Sequence, residues 1–230
     1  MIYNKLLGTG KKIIFLSLSL YILFFVSSLG SSKESFIERP IKVVWVIDGD
    51  TFVLKNKKVI RLKGIDTPEI SHEPNVKSQY FAKKAKRYLI KLIGRKYVII
   101  KRKGLTYDRY KRLVAYVYLP DGTFLNEFLI KKGYAFYFPH KDIEPYIAAI
   151  LLLAQREAMI QRRGFWKKIL TLDIANQLYI GNLHDKRFHV PTCNSVKKIY
   201  WKNKVYFHSL FEAFYNGYAP CRKCTPWPRE

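Results

Sequence analysis

Hydrophobic residues near the start of the main part of the chain concentrate in short runs rich in Val and Ile, the pattern of β-strands. Five runs of this kind occupy residues 41–47, 51–54, 59–65, 97–100 and 113–119. Gly49 and Asn56 separate the first three runs. Because branched side chains favour strands and Gly and Asn favour turns, these runs predict five β-strands.

Elsewhere apolar positions recur every three or four residues, the spacing of one helix face. Three helices are predicted, over about 76–92, 123–132 and 143–162. A glycine follows each of them, at Gly94, Gly133 and Gly164, where it can end a helix. Three strands, a helix, two strands and two helices, in that order, predict an α+β fold. The matching architecture is a five-stranded closed Greek-key barrel, the OB-fold, with three flanking helices.

Shifts in composition divide the chain into five segments. We predict a signal peptide or N-terminal membrane anchor over 1–30, a polar linker over 31–40, the barrel domain over 41–168, a connector over 169–178 and a small C-terminal module over 179–230. The last segment has its own Cys/His pattern and many aromatic residues, so we expect a small zinc-ribbon-like ββα module there.

The N-terminus has the pattern of a targeting segment. Lys5, Lys11 and Lys12 precede an unbroken apolar run over 13–26, and small residues follow over 27–32. This pattern predicts a secretory signal peptide. An uncleaved membrane anchor through residues 13–29 is the alternative, since Leu29 extends the run. Both interpretations place the bulk of the chain outside the cytoplasm, either secreted or in the periplasm or cell envelope.

Charge points to the class of partner. The chain has 42 Lys and Arg against 17 Asp and Glu, a formal net charge of +25. This excess favours a polyanionic partner, either nucleic acid or an anionic membrane, over a merely solvated basic surface. Hydrophobic residues make up 49% of the chain, which excludes global disorder.

Candidate chemistry lies in three clusters of the predicted barrel. Carboxylates at Asp50, Asp66 and Glu69 follow strand ends, in chain segments that also hold Gly49 and Pro68. Hard divalent cations prefer such oxygen ligands. Two arginines, Arg61 and Arg112, can each grip a phosphate with a planar guanidinium. A divalent metal, a further carboxylate that can activate water and two phosphate-binding arginines are together the groups that phosphodiester hydrolysis uses.

These clusters resemble the staphylococcal nuclease (thermonuclease) family over residues 41–166. The matching motifs are Ile-Asp-Gly-Asp-Thr at 47–51, Arg61 with Asp-Thr-Pro-Glu at 66–69, Asp-Arg-Tyr-Lys-Arg at 108–112, and Asn-Glu at 126–127. The resemblance implies a Ca²⁺-dependent nuclease acting on DNA, RNA or both. It implies that Asp50, Asp66 and the Thr67 backbone carbonyl bind Ca²⁺. It also implies that Glu69 is the general base, and that Arg61 and Arg112 bind the scissile phosphate.

Further positions follow from the same resemblance. It implies that Asp48 supports its turn, and that Tyr110 and Tyr137 pack against the nucleotide. Two departures are visible. The residue before the second arginine, often Gly in the family, is Lys111, and the loop 70–75 is shorter than in the best-known member. His72 in that loop is expected to be a solvent-exposed histidine rather than a ligand.

The C-terminal module carries a second set of candidate ligands. His189 and Cys193 are four residues apart, and Cys221 and Cys224 form a CxxC motif. One His and three Cys suit tetrahedral Zn²⁺, and they account for the odd number of cysteines. A disulfide, Cys221–Cys224 or Cys193–Cys221, is the alternative. His184 and His208 are rival ligands with unsuitable spacing.

The segment over 179–221 resembles the zinc-binding domain of the Ada DNA-repair protein, through its aromatic positions and Gly-Tyr-Ala-Pro-Cys-Arg-Lys-Cys at 217–224. That family uses four Cys, whereas His189 stands at the first position here. The substitution argues against alkyl transfer and favours a structural zinc site.

A competing hypothesis for the whole chain is a non-catalytic OB-fold protein of the cell envelope that binds nucleic acid in a basic groove. The presence of all five polar site positions disfavours it. No small organic cofactor is predicted, and the sequence leaves the oligomeric state open.

Overall fold

The structure, a computed structural model, describes residues 39–224 and 227–230. The predicted signal peptide or anchor and most of the predicted linker lie outside these residues. Within the described part of the chain, no helix is both long enough and apolar enough to span a bilayer.

Nine strands lie in the first part of the chain. They are β1 (Ile41–Val46), β2 (Thr51–Leu54), β3 (Val59–Leu62), β4 (Ile65–Asp66), β5 (Tyr97–Ile100), β6 (Thr106–Tyr107), β7 (Leu113–Ala115), β8 (Val117–Tyr118) and β9 (Phe136–Tyr137). Seven of them form one sheet in the order β6-β7-β3-β2-β1-β5-β8, and β4 pairs with β9 separately. The architecture is mixed α+β.

The strand count exceeds the predicted five because two predicted strands are interrupted and two short strands, β6 and β9, were not predicted. The run 59–65 breaks between β3 and β4, and the run 113–119 breaks at Tyr116 between β7 and β8. The second break changes partners: β7 runs parallel to β3, whereas β8 is antiparallel to β5. One short segment therefore pairs with two strands that are not neighbours of each other in the sheet.

Asn126 satisfies the backbone at both interruptions. Its side-chain Nδ2 donates to the carbonyls of Lys63 at 2.8 Å and Ala115 at 3.3 Å. Its Oδ1 accepts from the Val117 amide at 3.0 Å. The residue is fully buried, where unpaired backbone groups are costly, so this one amide replaces the ladder bonds that the breaks remove.

Four helices accompany these strands. They are α1 (Ala82–Ile93), α2 (Leu125–Lys131), α3 (Pro145–Ile160) and the short α4 (Trp166–Ile169). Helix α1 begins six residues later than the predicted start at 76. Phe81, just before it, has a φ of 75°, a left-handed conformation that a helix cannot include. Pro145 opens α3, where its missing amide costs no hydrogen bond.

Two glycines predicted to end helices touch each other. A Cβ built on Gly164 would lie 2.0 Å from the Gly133 carbonyl oxygen, and one on Gly133 would lie 2.3 Å from the Arg163 oxygen. Both residues have positive φ, 70° at Gly133 and 56° at Gly164. The backbone segments that follow α2 and α3 therefore cross at a separation that only glycine permits.

The C-terminal segment folds around a four-stranded sheet. Its elements are β10 (Tyr179–Asn182), β11 (Arg187–His189), β12 (Lys204–Phe207), α5 (Leu210–Tyr215) and β13 (Ala219–Pro220). The order β12-β10-β11-β13 contains one parallel pair, β11 with β13. The segment therefore has more strands than the predicted ββα module.

This segment shares a hydrophobic core with the rest of the chain. One cluster of buried residues joins aromatic side chains from both parts: Phe81, Phe136, Phe165, Trp166, Phe188, Phe214 and Trp227. Polar contacts add to it, because the buried Gln155 of α3 accepts from the Tyr137 amide and donates to the Phe214 carbonyl, both at 2.7 Å. The C-terminal segment is thus packed onto the preceding part of the chain and is not merely tethered to it.

Candidate active site

The turn between β1 and β2 presents Asp50. Asp48 Oδ1 accepts from the Asp50 amide at 3.1 Å, so Asp48 supports the turn, as the sequence predicts. Gly49 permits close packing there, since a Cβ on it would lie 2.8 Å from Thr67 Oγ1. The Asp50 carboxylate is only 2% exposed and accepts from Thr51 Oγ1 at 2.9 Å and Thr67 Oγ1 at 3.2 Å.

Arg61 lies between the two predicted metal-binding carboxylates. Strand pairing sets Arg61 opposite Thr51, which brings the guanidinium beside Asp50. Its Nη1 forms an ion pair with Asp50 Oδ2, and its Nη2 donates to Asp66 Oδ1 at 2.5 Å. Asp66 is 5% exposed. The two buried carboxylates therefore converge on one cationic group, although 16 residues of chain separate them.

Glu69 stands at the exposed edge of this group. Its backbone is fixed by Gln79, whose Oε1 accepts from the Glu69 amide at 2.8 Å and whose own amide donates to the Glu69 carbonyl at 3.0 Å. Partial burial, and then the neighbouring Asp66 carboxylate, raise the pKa of Glu69, while Arg222 and Arg61 oppose the increase. A raised pKa makes a carboxylate a better proton acceptor.

A tight turn presents Arg112. Asp108 accepts from the Arg112 amide at 3.0 Å and from Arg112 Nε at 2.7 Å. Burial alone would raise the pKa of Asp108, but these hydrogen bonds hold it below its usual value, so the carboxylate stays charged. Lys111 has a φ of 61°, the left-handed region that favours glycine. The turn thus keeps the backbone conformation that glycine would adopt most easily.

These side chains surround a pocket of about 200 Å³, lined by Asp48, Asp50, Arg61, Glu69, Tyr110, Arg112 and Arg222. A larger pocket of about 770 Å³ shares Arg61, Tyr110, Arg112 and Arg222 with it. The larger pocket is further lined by basic and aromatic residues, among them Arg109, Lys141, Tyr107 and Phe138. The arrangement offers a carboxylate-rich cavity that opens onto a basic, aromatic groove.

The structure separates the two predicted tyrosines. Tyr110 is exposed and lines both pockets, with the Arg112 guanidinium 5.3 Å from its ring centroid. Tyr137 is 7% exposed, belongs to the hydrophobic core and lines neither of these pockets. Thr67 is also buried, with its hydroxyl directed to Asp50. His72 lies exposed in its loop.

Arg222 is the site residue that sequence analysis missed. Its Nη2 lies 3.2 Å and 3.4 Å from the two carboxylate oxygens of Asp66. The sequence places Arg222 in a basic stretch of the C-terminal module, 156 residues from Asp66. Such a residue has no local pattern that marks it as part of a distant site.

A second cluster of ligand atoms lies in the C-terminal segment. One atom each from His189, Cys193, Cys221 and Cys224 lies within 4.8 Å of all the others. Cys193 and Cys224 carry free thiols, and the Cys224 sulfur is 3.8 Å from His189 Nδ1. Burial lowers the pKa of His189, so its ring is neutral, and burial raises the pKa of Cys224 to about 12. The rival histidines, His184 and His208, lie exposed outside this cluster.

Comparison with known proteins agrees with the geometry. Residues 59–168 match the family of staphylococcal nuclease homologues. An uncharacterized endonuclease of Escherichia coli is 33% identical over 131 residues, which cover 54% of this chain and 75% of that protein. The thermonuclease of Staphylococcus hyicus is 30% identical over 172 residues, which cover 70% of this chain and 98% of the relative.

A larger relative shows the same similarity in another context. Endonuclease YhcR of Bacillus subtilis is 28% identical over 200 residues, which cover 75% of this chain and 16% of that protein. The pocket of carboxylates and arginines, the family match over residues 59–168 and the relatives named as nucleases all agree. The chain belongs to the staphylococcal nuclease family and is a nuclease, a hydrolase whose substrate is nucleic acid.

Proposed function

We propose that the chain is a Ca²⁺-dependent nuclease that hydrolyses phosphodiester bonds of DNA, RNA or both at the pocket containing Asp50 and Glu69. The observation that carries this proposal is the convergence of the Asp50 and Asp66 carboxylates on the Arg61 guanidinium. Two buried carboxylates that already pair with the positively charged Arg61 guanidinium offer the negative charge and the oxygen atoms that Ca²⁺ requires.

The donor set fits Ca²⁺ in chemical type. Asp50, Asp66 and the Thr67 backbone carbonyl would supply oxygen ligands, and waters would supply the remainder. The Thr51 and Thr67 hydroxyls donate to Asp50 and hold its carboxylate in place. When bound, Ca²⁺ would act as a Lewis acid that withdraws charge from the phosphate oxygens.

The remaining steps belong to side chains of this chain. Glu69 would accept a proton from the attacking water as the water oxygen bonds to phosphorus and the leaving oxygen departs with the bonding electron pair. Its raised pKa suits that role. Arg61 and Arg112 would donate to the phosphate oxygens, whose charge grows as the transition state forms. Asp108 orients Arg112 for this purpose through Nε.

A digestion assay tests this function. The purified chain is expected to degrade single- or double-stranded DNA, or RNA, with Ca²⁺ present, and EDTA is expected to stop the reaction. Binding of nucleic acid without any Ca²⁺-stimulated cleavage would overturn the proposal and would favour the alternative of a non-catalytic binding protein.

We further propose that His189, Cys193, Cys221 and Cys224 bind one structural Zn²⁺. Support comes from the clustering of four ligand atoms of the types that zinc prefers, one imidazole nitrogen and three sulfurs. Zinc binding would deprotonate the Cys224 thiol, whose pKa is high in the protein alone. Elemental analysis is expected to find one zinc per chain, and a disulfide detected by mass spectrometry would contradict the proposal.

We also propose that the chain is exported, on the basis of its N-terminal sequence. The basic residues followed by the apolar run over 13–26 support this placement. Cell fractionation would locate the protein, and N-terminal sequencing would distinguish a cleaved signal from an anchor. Recovery of full-length protein in the cytoplasm would contradict export.

A further inference from the structure

Arg222 reaches from the C-terminal segment into the pocket where the nuclease residues lie. Its Nη2 contacts both oxygens of Asp66, and its side chain lines both pockets beside Arg61 and Arg112. It is therefore the third arginine that lines both of these pockets, and it comes from outside the matched region 59–168.

The Arg222 guanidinium retains donors for a ligand. Within the described residues only Nη2 has a hydrogen-bond partner, and the side chain is 52% exposed. An arginine carries five N–H donors, so Nε and Nη1 remain available to an oxyanion.

Position within the groove favours a phosphate as that oxyanion. Arg222 lies at the junction of the carboxylate pocket and the larger groove, with its guanidinium carbon 5.4 Å from the ring centroid of Phe138. Arg187 lies 3.7 Å from the same ring and donates to the Pro139 carbonyl at 3.1 Å. A nucleic acid strand that follows this groove would bring its phosphates past Arg222 and its bases past aromatic rings.

The loop that carries Arg222 is anchored at both ends. Before it, the Cys221 amide donates to the Phe188 carbonyl at 2.9 Å, which continues the pairing of β13 with β11. Cys221 and Cys224 on either side both belong to the four-residue ligand cluster. A long side chain on such a short, doubly held loop is directed at the pocket with little freedom of its backbone.

We propose that Arg222 is a substrate-binding residue of the nuclease site, and that it grips a backbone phosphate next to the scissile one. The C-terminal segment thereby completes the active site and is more than an appended binding module. This inference rests on the proposed function of the pocket. In it, Arg222 binds the neighbouring phosphate, while Arg61 and Arg112 bind the scissile phosphate.

Two variants of the full chain test the proposal. Arg222→Ala removes the guanidinium, and Lys223→Ala removes an equal charge from the neighbouring exposed residue, which lines neither of the two pockets. Thermal melting and zinc content of both variants should equal those of the wild type, which shows that the loop remains folded. A third variant, Arg222→Lys, keeps the charge but not the planar fork of the guanidinium. Its kcat/KM should therefore lie between those of Arg222→Ala and the wild type.

The first measurement is binding of a single-stranded oligonucleotide in Ca²⁺-free buffer without a chelator, by fluorescence anisotropy over a range of salt concentrations. The slope of log affinity against log salt is negative, and loss of one phosphate contact should make it less steep by about 0.7 in Arg222→Ala. Lys223→Ala should keep the wild-type slope. Equal slopes in the wild type, Arg222→Ala and Lys223→Ala would overturn the proposal.

The second measurement is cleavage with Ca²⁺. Arg222→Ala should lower kcat/KM by roughly 10- to 100-fold, mainly through KM, since a charge-assisted hydrogen bond to substrate is lost. Lys223→Ala should stay within about twofold of wild type. Faster cleavage by Arg222→Ala at low Ca²⁺ would overturn the proposal, because it would show that Arg222 only competes for Asp66. An inactive wild type would refute the proposed nuclease mechanism, while the salt slopes would still decide on Arg222.

Discussion

The Arg61 guanidinium donates to Asp66 Oδ1 at 2.5 Å, and the same guanidinium forms an ion pair with Asp50. A residue expected to bind phosphate therefore occupies the space between two residues expected to bind metal. The single positive charge of Arg61 reduces the repulsion between these two buried carboxylates. In the proposed function, Asp50 and Asp66 would hold Ca²⁺ and Arg61 would donate to the phosphate instead.

Replacement of Glu69 by Gln should abolish most of the activity. The change keeps the size of the side chain and removes the proton acceptor, so kcat should fall by roughly 10²- to 10⁴-fold with KM little changed. Steady-state kinetics with Ca²⁺ would measure it. Glu73→Gln, in the exposed loop nearby, is the control and should keep wild-type rates. A Glu69→Gln enzyme with normal kcat would refute the base assignment.

Arg112 and Arg109 provide a matched pair. Both are arginines of the same turn region, but only Arg112 lines the carboxylate pocket. Arg112→Ala should lower kcat/KM by about 10²-fold or more, because its interaction strengthens in the transition state. Arg109→Ala should produce a small, salt-dependent change only. Equal losses in the two variants would mean that the turn contributes charge alone.

Asn126→Ala should destabilise the fold without touching the site. It leaves the Val117 amide and the Lys63 carbonyl buried without their partner, and the free energy of unfolding should fall by about 2–4 kcal/mol. Urea denaturation would measure the loss. Glu127→Ala, at the next position of α2, should change stability by less than about 1 kcal/mol. Similar losses in both variants would disprove the role given to this amide.

Gly164→Ala should be far more costly than Gly122→Ala. Both glycines have positive φ, but a Cβ on Gly164 would lie 2.0 Å from the Gly133 oxygen, whereas one on Gly122 would have nothing within 4 Å. Gly122→Ala should therefore cost only backbone strain, about 1–2 kcal/mol. Gly164→Ala should add a steric clash and exceed that by at least about 1 kcal/mol in thermal or urea unfolding. Equal costs would show that the two chain ends move apart freely.

Loss of the proposed zinc should destabilise the nuclease part as well as the C-terminal segment. Cys193→Ser removes a thiolate and should lower both the zinc content and the melting temperature, since the buried aromatic cluster joins the two parts. His189→Cys replaces one ligand by another and should retain about one zinc per chain by elemental analysis. A Cys193→Ser protein that melts like the wild type would contradict this coupling.

The local sequence determined most of the helices and strands. Strand and helix periods are local patterns, so three of the five predicted strand ranges and the ends of α2 and α3 lie close to the observed ones. Asp50, Arg61, Glu69 and Arg112 were chosen from their motifs and line one pocket, while the roles assigned to them stay predictions. The start of α1 was predicted too early, because helical spacing continues through residues whose backbone at Phe81 is left-handed.

Tertiary structure decided what depends on contacts between distant residues. Only packing shows that Tyr137 is buried while Tyr110 faces the groove, since both are aromatic residues near predicted elements. The breaks before β4 and β8 depend on hydrogen bonds from Asn126, which comes from a different element. Arg222 enters the site from 156 residues away because a shared aromatic core holds the C-terminal segment against the nuclease part. Such placement is a free-energy balance over the whole fold, and no local pattern of residues encodes it.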